Sequence, residues 1–325
     1  MTEPVIELRG VSKHFGQAPG LAARLLSRPP QVVRAVDAVD LVVGKGEVVG
    51  LVGESGCGKS TLGRMVAGIL SPSAGEVFWH GQVVGSLAPE AARAAKLRVQ
   101  MIFQNPFASL NPRRRVEQIV GEAPRVHGLV PEGGFDAYVD AQLLRAGLDP
   151  TDKRRYPHQF SGGQRQRIGI ARALAVQPEF LVCDEAVAAL DVSIQAQILN
   201  LFMDLREQLG LTYLFISHDL GVVEHLADQV VIMYLGRIVE EAPAEAIFAH
   251  AAHPYTQALL AELPRIESRK RAFTSINGEI PSPLAPPPGC HFHPRCPHAM
   301  AVCRETAPVL REVAAGHRSA CHLLG

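Results

Sequence analysis

Residues 48–61 decide the fold, and they run Val-Val-Gly-Leu-Val-Gly-Glu-Ser-Gly-Cys-Gly-Lys-Ser-Thr. The apolar residues 48–52 predict a buried strand that leads into a glycine-rich turn. From Gly53 onward the residues follow G-x-x-x-x-G-K-S, the pattern of a phosphate-binding loop. The residues after Ser60 have a helical pattern, so the loop stands between a strand and a helix. This order of elements disfavours the alternative of a glycine-rich turn that fits the pattern by chance.

Each part of this loop has a chemical task. Its glycines allow positive φ angles and bring backbone N–H groups close to a polyphosphate. Lys59 supplies positive charge for the β- and γ-phosphates, and the Ser60 hydroxyl is a suitable ligand for Mg²⁺. The N-terminus of the following helix adds further N–H groups that point at the anion. The predicted nucleoside triphosphate site is lined by Gly53, Glu54, Ser55, Gly56, Cys57, Gly58, Lys59, Ser60 and Thr61.

The composition restricts the class of protein. Hydrophobic residues make up 47% of the 325 residues and charged residues 20%, which is enough apolar material for a full core. Lys+Arg and Asp+Glu both number 32, so the net charge is zero, and aromatic residues total only 6%. A nucleic-acid binder usually has a basic excess and stacking platforms, so we expect no nucleic-acid partner.

No uncharged apolar run approaches the roughly 20 residues that a membrane-spanning helix needs. The first residues, Met-Thr-Glu-Pro-Val-Ile-Glu-Leu-Arg, lack a basic segment followed by an apolar one. We therefore expect a cytosolic protein, which leaves docking on a membrane protein open.

Short strand patterns alternate with helical patterns along most of the chain. Strands are predicted at residues 5–9, 32–43, 48–52, 76–80, 99–103, 180–183, 211–217, 229–235 and 237–240. Helices are predicted after residue 60, within 113–147 with breaks at Pro124 and 133–134, at 161–176 with Ser161 as N-cap, and at 193–209. Residues 16–31 are predicted to form a loop and residues 281–289 a proline-rich linker or strap. The alternation implies an α/β fold with a largely parallel sheet covered on both faces.

A second candidate site element follows the apolar run at 180–183. Asp184 at the end of this predicted strand can hold Mg²⁺, and Glu185 can orient and deprotonate an attacking water. A bare Asp-Glu pair is most often a solvated surface pair. The preceding strand and the phosphate-binding loop elsewhere in the chain favour the catalytic interpretation.

Three segments together resemble the ATP-binding cassette of ABC transporters: the loop at 51–61, Ser-Gly-Gly-Gln-Arg-Gln at 161–166 and Val-Cys-Asp-Glu at 182–185. Further stretches are similar to ATPase subunits of bacterial oligopeptide and dipeptide importers. These stretches are residues 101–112, 191–200 and 253–260 and the cysteine-rich tail. The resemblance implies a P-loop ABC fold with a RecA-like core, an antiparallel β subdomain, a helical subdomain and a small Cys-rich extension. It places the cassette at 1–250, with the helical subdomain at about 107–176, and the importer-type C-terminal region at 251–325.

The resemblance also assigns roles near the nucleotide. Phe15 matches the aromatic residue that stacks on adenine, the alternative being a core phenylalanine at a strand end. Gln104 matches the glutamine that touches Mg²⁺ and lies near the membrane subunit. His218 matches the histidine that contacts the γ-phosphate. The resemblance thus implies ATP and Mg²⁺ as cofactors, with Mg²⁺ held by Ser60, Gln104 and Asp184, and Glu185, His218 and Lys59 as the catalytic residues.

The segment Ser161, Gly162, Gly163 and Gln164 matches the family's signature, which binds the γ-phosphate held by the opposite cassette. A helix N-terminus with two glycines suits an anion. The resemblance implies a head-to-tail dimer of two cassettes, as a homodimer or, more usually in these importers, a heterodimer. Asp191 matches the aspartate at that dimer contact.

The chain departs from the family pattern at three positions. Ala186 and Ala188 stand where proline and serine are common, and Phe160 stands where leucine is usual. Because Asp184, Glu185 and Asp191 are retained, we expect hydrolysis to survive. The departures put in doubt the stiffness of the segment between Glu185 and Asp191 and its coupling to the partner site.

Four of the six cysteines lie in the last 36 residues: Cys290, Cys296, Cys303 and Cys321. In a cytosolic protein disulfides are a poor explanation for them. Four thiolates suit zinc or a [4Fe–4S] cluster, although the paired spacing of zinc ribbons is absent. The importer resemblance favours the cluster, and reduced, unligated cysteines in a packed tail remain the alternative.

The resemblance implies an ATPase subunit that powers peptide import at the cytoplasmic face of the bacterial inner membrane. Its partners would be a second cassette, two transmembrane permease subunits and, through the complex, an extracytoplasmic peptide-binding protein. A nickel or other small-solute importer is the nearest alternative. A soluble cassette of DNA repair is disfavoured because no sustained heptad pattern lies between Gln104 and Ser161. Soluble proteins of this family that act in translation usually contain two cassettes, whereas this chain contains one. A redox or regulatory protein built on the cysteine tail is a further alternative.

Overall fold

The computed structural model describes residues 3–16, 32–263, 276 and 278–324. Apart from Gly16, the predicted loop at 16–31 lies outside these residues. The described strands, numbered along the chain, are β1 Pro4–Gly16, β2 Val32–Gly44, β3 Val48–Val52, β4 Ala74–Trp79, β5 Gln82–Val83, β6 Val99–Ile102, β7 Phe180–Asp184, β8 Thr212–Ser217, β9 Gln229–Tyr234, β10 Arg237–Pro243, β11 Arg311–Ala314 and β12 His317–Ser319.

Helices follow the strands in the alternation that the sequence predicts. The described α-helices are Lys59–Val66, Pro89–Arg98, Pro106–Ser109, Val116–Val126, Phe135–Arg145, Gly162–Leu174, Val192–Leu209, Leu220–Leu226, Ala244–His250, Pro254–Ala261 and Ala301–Glu305. Within the described ranges, no helix combines the length and the hydrophobicity that crossing a bilayer requires.

The larger sheet contains eight described strands in the order β11-β12-β10-β9-β3-β8-β7-β6. Its five strands from β9 to β6 are parallel, and β3 is an inner strand between β9 and β8 with all five of its residues buried. Because parallel strands are covered on both faces, they consist of continuous apolar runs, as in β7 and β8. The carboxyl ends of these strands meet at one edge, where open α/β sheets bind ligands.

A smaller antiparallel sheet has the order β2-β1-β4-β5. It packs over β3 through a shared apolar cluster that includes Val36, Val39, Leu51 and Leu62. The expected antiparallel β subdomain is therefore present. The strands β1 and β4 agree with the prediction, although β1 runs seven residues beyond the predicted end at residue 9.

The predicted helix break at Pro124 is wrong. The helix Val116–Val126 continues through this proline, which is buried. Proline removes one backbone donor, and here it lies within three residues of the end of the helix. Packing of the buried ring outweighs the loss of that one hydrogen bond. The break at 133–134 is confirmed, since Gly134 precedes the helix Phe135–Arg145.

The C-terminal region continues the larger sheet rather than standing apart from it. Glu240 of β10 pairs with Ser319 of β12, and β12 in turn pairs with β11. A third apolar cluster joins β9 and β10 to Tyr255 and Phe292. No sequence signal predicts this pairing, because β11 is only four residues long and β12 only three.

Candidate active site

The proposed site residues meet at the carboxyl edge of the parallel strands. The phosphate-binding loop follows β3, Asp184 ends β7, His218 follows β8 and Gln104 follows β6. Since β3, β8, β7 and β6 are consecutive neighbours in the sheet, four separate sequence segments are brought to one place. Topology alone therefore assembles the site.

The loop keeps close contact with its surroundings. Gly58 has a φ of 111°, and a Cβ there would lie 2.1 Å from the Ala35 carbonyl oxygen. A Cβ at Gly53 would lie equally close to the Met233 carbonyl oxygen. The Gly236 N–H donates to the Cys57 carbonyl at 2.8 Å. Glycine at 53 and 58 is therefore required by space and, at 58, by backbone angle as well.

Lys59 is buried at the first position of the helix Lys59–Val66, with 4% of its surface exposed. Its ammonium group donates to the carbonyl of Gly53 at 2.6 Å and to that of Glu54 at 3.0 Å. A buried charge needs such partners. The lysine thus lies over the concave side of the loop, where it can exchange these carbonyls for phosphate oxygens.

Ser60 and Asp184, the two residues predicted to hold Mg²⁺ together with Gln104, lie next to each other. The Ser60 hydroxyl donates to Asp184 Oδ1 at 2.7 Å, which places two hard oxygen donors side by side. Burial raises the pKa of Asp184, and the bond from Ser60 opposes the shift. The donor chemistry fits Mg²⁺, which takes few protein oxygens and keeps several waters.

Glu185 lies beside two other predicted site residues. Gln104 Nε2 donates to Glu185 Oε2 at 2.5 Å, and His218 Nδ1 is 3.4 Å from Oε1. Glu185 has a positive φ of 47°, and its N–H donates to the carbonyl of Ile216 on β8. A non-glycine residue held in this region is characteristic of functional sites. The predicted grouping of Gln104, Glu185 and His218 is what the fold produces.

The signature segment forms the start of the helix Gly162–Leu174. Ser161 is its N-cap: the N–H of Gln164 donates to Ser161 Oγ, and the Gln164 side chain accepts from the Ser161 N–H. This reciprocal pair is a capping box, which confirms the predicted N-cap. The side chains of Ser161 and Gln164 are exposed. The signature therefore faces outward from the chain.

Phe15 and Asp191 are also exposed. Phe15, near the end of β1, has 43% of its surface exposed, so it is not the core phenylalanine of the alternative interpretation. The ammonium of Lys13 lies 5.5 Å from its ring centre. Asp191 precedes the helix Val192–Leu209, and the neighbouring Val192 is 84% exposed. Both residues are available to a ligand or a second chain.

At the positions that depart from the family pattern, Ala186 is buried and Ala188 is exposed. Phe160 is buried, with the guanidinium of Arg155 4.6 Å from its ring centre. The segment from Glu185 to Asp191 forms tight turns, including a bond from the Ala188 N–H to the Glu185 carbonyl.

The four C-terminal cysteines come together around one small cavity, which they line together with His253, His293, His298 and His322. Burial raises the pKa of Cys290 to about 11. In the part of the chain that the structure describes, no three His, Cys, Asp or Glu side chains are arranged to hold a metal ion. The thiols converge as a cluster would require, but their arrangement is not that of a ligand set.

Two residues that touch the loop were not predicted. Tyr255 accepts a hydrogen bond from the Glu54 N–H, and Arg295 forms an ion pair with the Glu54 carboxylate. They lie some 200 and 241 residues beyond the loop in sequence. Their only signal in the sequence is position: both fall in segments similar to peptide-importer subunits.

Comparison with known proteins agrees with this geometry. Residues 36–188 match the family model for ABC transporters, and residues 239–303 match the model for the oligopeptide/dipeptide transporter C-terminal region. Among solved structures, cbiO1 from Clostridium perfringens, part of the ABC transporter complex cbiONQ, matches with a TM-score of 0.64 and 26% identity, covering 76% of this chain and 92% of its own. A dimeric post-hydrolysis state of an ATP-binding cassette bound to ADP and Pi matches with a TM-score of 0.62 and 26% identity, covering 74% and 98%.

Two curated relatives extend the match to nearly the whole chain. The oligopeptide transport ATP-binding protein AppF of Bacillus subtilis (strain 168) is 47% identical, over 99% of this chain and 98% of its own. The dipeptide transport ATP-binding protein DppF of Escherichia coli (strain K12) is 44% identical, over 96% and 92%. On this identity and coverage, the chain belongs to the ABC transporter ATPases, within their oligopeptide/dipeptide transport family.

Proposed function

We propose that this protein hydrolyses ATP to power the import of oligopeptides or dipeptides across the bacterial inner membrane, from its cytoplasmic face. The observation that carries the proposal is the meeting of the phosphate-binding loop, Asp184 and Glu185 at one edge of the sheet. The names of the relatives AppF and DppF, which are oligopeptide and dipeptide transport ATP-binding proteins, support the substrate class.

The triphosphate would lie on the loop after β3. Backbone N–H groups and the helix N-terminus bind its phosphates, and Lys59 turns from the Gly53 and Glu54 carbonyls to the β- and γ-phosphate oxygens. Ser60 and Asp184 would hold Mg²⁺, with Gln104 near it, and the ion would supply positive charge opposite the phosphates. Phe15 stacks on the adenine.

Glu185 is positioned to act as the general base. Its carboxylate would accept the proton of a water that attacks the γ-phosphorus, and His218 beside it would hold a γ-phosphate oxygen. Gln104, bonded to the same carboxylate, connects this base to the metal side of the site. A positioned base of this kind contributes about 10²- to 10⁴-fold to a rate.

The site needs a second cassette to be complete. The exposed signature residues Ser161 and Gln164 and the exposed Asp191 fit a head-to-tail contact, in which each ATP lies between one chain's loop and the other chain's signature. The partner is a second copy or, as is usual in these importers, a different cassette. Two permease subunits and an extracytoplasmic binding protein complete the transporter.

Two finer assignments stay predictions. One is the division into a cassette at 1–250, with a helical subdomain at about 107–176, and a C-terminal region at 251–325. The other is the iron–sulfur cluster at the four tail cysteines. Anaerobic purification followed by iron and sulfide assay tests the cluster, and a fully stable protein free of iron would contradict it.

The direct test of the ATPase proposal is the variant Glu185→Gln. It should bind ATP as the wild type does and lose at least about 100-fold in turnover, since the amide cannot accept the proton. Glu179→Gln, immediately before the same strand β7, is the matched control and should retain wild-type turnover. Near-normal turnover of Glu185→Gln would refute the assigned role. To identify the substrate, the uptake of labelled peptides by the whole transporter is compared with its uptake of Ni²⁺.

A further inference from the structure

The second residue of the phosphate-binding loop is held by the C-terminal region. Arg295 Nη1 and Nη2 donate to the two carboxylate oxygens of Glu54 at 2.7 and 2.9 Å. The backbone N–H of Glu54 donates to the Tyr255 hydroxyl at 2.9 Å. Both the side chain and the main chain of Glu54 are therefore fixed by residues more than 200 positions away.

Burial makes this contact strong. The side chain of Arg295 is 4% exposed and that of Glu54 is 20% exposed, and Tyr255 is fully buried. A two-point arginine–carboxylate pair is stronger and more specific in geometry than a single charged hydrogen bond. Removing one partner of such a pair leaves an uncompensated charge, which is costly.

The charge of Glu54 is unfavourable for the function of the loop. Its carboxylate lies one residue after Gly53, in a loop that must accept a polyanion, so an uncompensated Glu54 would repel the phosphates. The Arg295 guanidinium cancels this charge where it arises. Because the Arg295–Glu54 pair is mostly buried, dissolved salt screens it much less than it screens a surface ion pair.

Arg295 is itself held by an aromatic cluster at the end of the larger sheet. Tyr234 of β9 packs edge to face against Tyr255 and Phe292, whose rings are tilted against each other, and the ring centres lie 4.7 to 5.3 Å apart. The Tyr234 hydroxyl accepts from Arg295 Nη1 at 3.4 Å. The position of the guanidinium is thus set by the packing of the C-terminal region on the sheet.

We propose that Arg295 is a positioning residue for the nucleotide: it neutralises Glu54 and, with Tyr255, fixes the phosphate-binding loop, so the C-terminal region forms part of the ATP site. The inference rests on the proposed ATP binding of that loop. The inference goes beyond that proposal because it assigns a nucleotide-binding role to the C-terminal region, which lies outside the residues matched by the ABC transporter family model.

The test is equilibrium binding of ATP, by competition with a fluorescent ATP analogue, together with turnover at saturating ATP. Arg295→Met should raise the Kd for ATP about tenfold or more and leave turnover at saturation within about twofold. Arg295→Lys should lie in between, because lysine keeps the charge and loses the two-point geometry. The double variant Glu54→Gln/Arg295→Met should recover to within about threefold of the wild-type Kd, because the repelling carboxylate is gone.

Arg318→Met is the matched control. Arg318 forms an arginine–glutamate pair with Glu241 in the same region and is half exposed, away from the loop. Its Kd for ATP should equal that of the wild type. A wild-type Kd in Arg295→Met, or a double variant that binds no better than Arg295→Met, would overturn the inference. Failure of the wild type to bind ATP would instead refute the proposed function.

Discussion

The phosphate-binding loop and the signature segment are both glycine-rich helix starts, yet the fold treats them in opposite ways. The loop is enclosed: Glu54 and Cys57 bond to groups outside it, and the buried Lys59 bonds to the carbonyl of Gly53 within it. The signature is presented: Ser161 and Gln164 bond to each other, and their side chains are exposed.

This difference separates two kinds of anion site. An enclosed loop has its geometry set by its own chain, so its function depends on what packs behind it. A presented helix start has its backbone donors directed outward, so its function depends on what meets it. The exposed Val192, which follows Asp191 in the chain, adds an apolar surface that a second cassette would cover.

Alanine substitution of one glycine in each segment gives the largest expected contrast. In Gly58→Ala the new Cβ would meet the Ala35 carbonyl oxygen at 2.1 Å, at a φ of 111°. We expect a loss of about 3 to 4 kcal/mol in the free energy of unfolding, together with loss of ATP binding. Chemical denaturation and nucleotide titration measure the two effects.

Gly162→Ala is the matched control in the signature. The nearest atom to its Cβ would be Leu190 Cδ2 at 3.8 Å, an ordinary contact. Its free energy of unfolding should stay within about 0.5 kcal/mol of the wild type, and its Kd for ATP should be unchanged. Equal losses in the two variants would contradict the distinction between enclosed and presented segments.

A pH titration examines the support behind the loop. His253 caps the helix that carries Tyr255: its Nδ1 accepts from the Tyr255 N–H at 3.0 Å. Burial lowers the pKa of His253 to about 4, well below its ordinary 6.5. The unfolded chain therefore binds the proton more readily than the folded one between these values. The free energy of unfolding should fall as the pH drops from 6.5 towards 4, by up to roughly 3 kcal/mol.

His253→Asn keeps a side-chain acceptor at the cap and cannot titrate. Because other groups also titrate, the quantity to compare is the difference in pH slope between this variant and the wild type. The variant should show the shallower slope between pH 6.5 and 4 by urea denaturation. Parallel curves would show that His253 is not the titrating group.

Phe15→Ala should have the smallest effect. Because 43% of the residue is exposed, its removal should change stability little. Loss of base stacking should weaken ATP binding by about tenfold, within the 1 to 3 kcal/mol that stacking supplies. Inorganic triphosphate, which has no base, is the control ligand and should bind the variant and the wild type equally. Equal weakening for both ligands would place Phe15 in the structure of the loop instead.

Much of the site could be predicted from the sequence because it depends on local patterns. The strand–loop–helix around Lys59 and the acidic residues after β7 are each contiguous, and the parallel sheet brings them to one edge. The capping of the signature helix by Ser161 is likewise contained within four residues. Pro124 is the exception among local signals, since tertiary packing outweighed its helix-breaking tendency.

What the sequence could not predict is the arrangement behind the loop. The pairing of β12 with β10 and the contact of Arg295 with Glu54 join segments that are far apart in the chain. No motif spacing and no hydrophobic period in the sequence predicts either contact. Long-range contacts of single charged residues depend on the completed fold. The same holds for the cavity that the four cysteines share, which sequence spacing left undetermined.

The most direct test of the central claim, that the chain carries two halves of different ATP sites, is the variant Ser161→Arg. The Kd for ATP should be measured on this chain, and turnover on the assembled transporter. We expect an unchanged Kd and at least about 100-fold slower turnover, because the blocked signature serves the partner's nucleotide. A raised Kd on this chain, or turnover equal to that of the wild type, would contradict it.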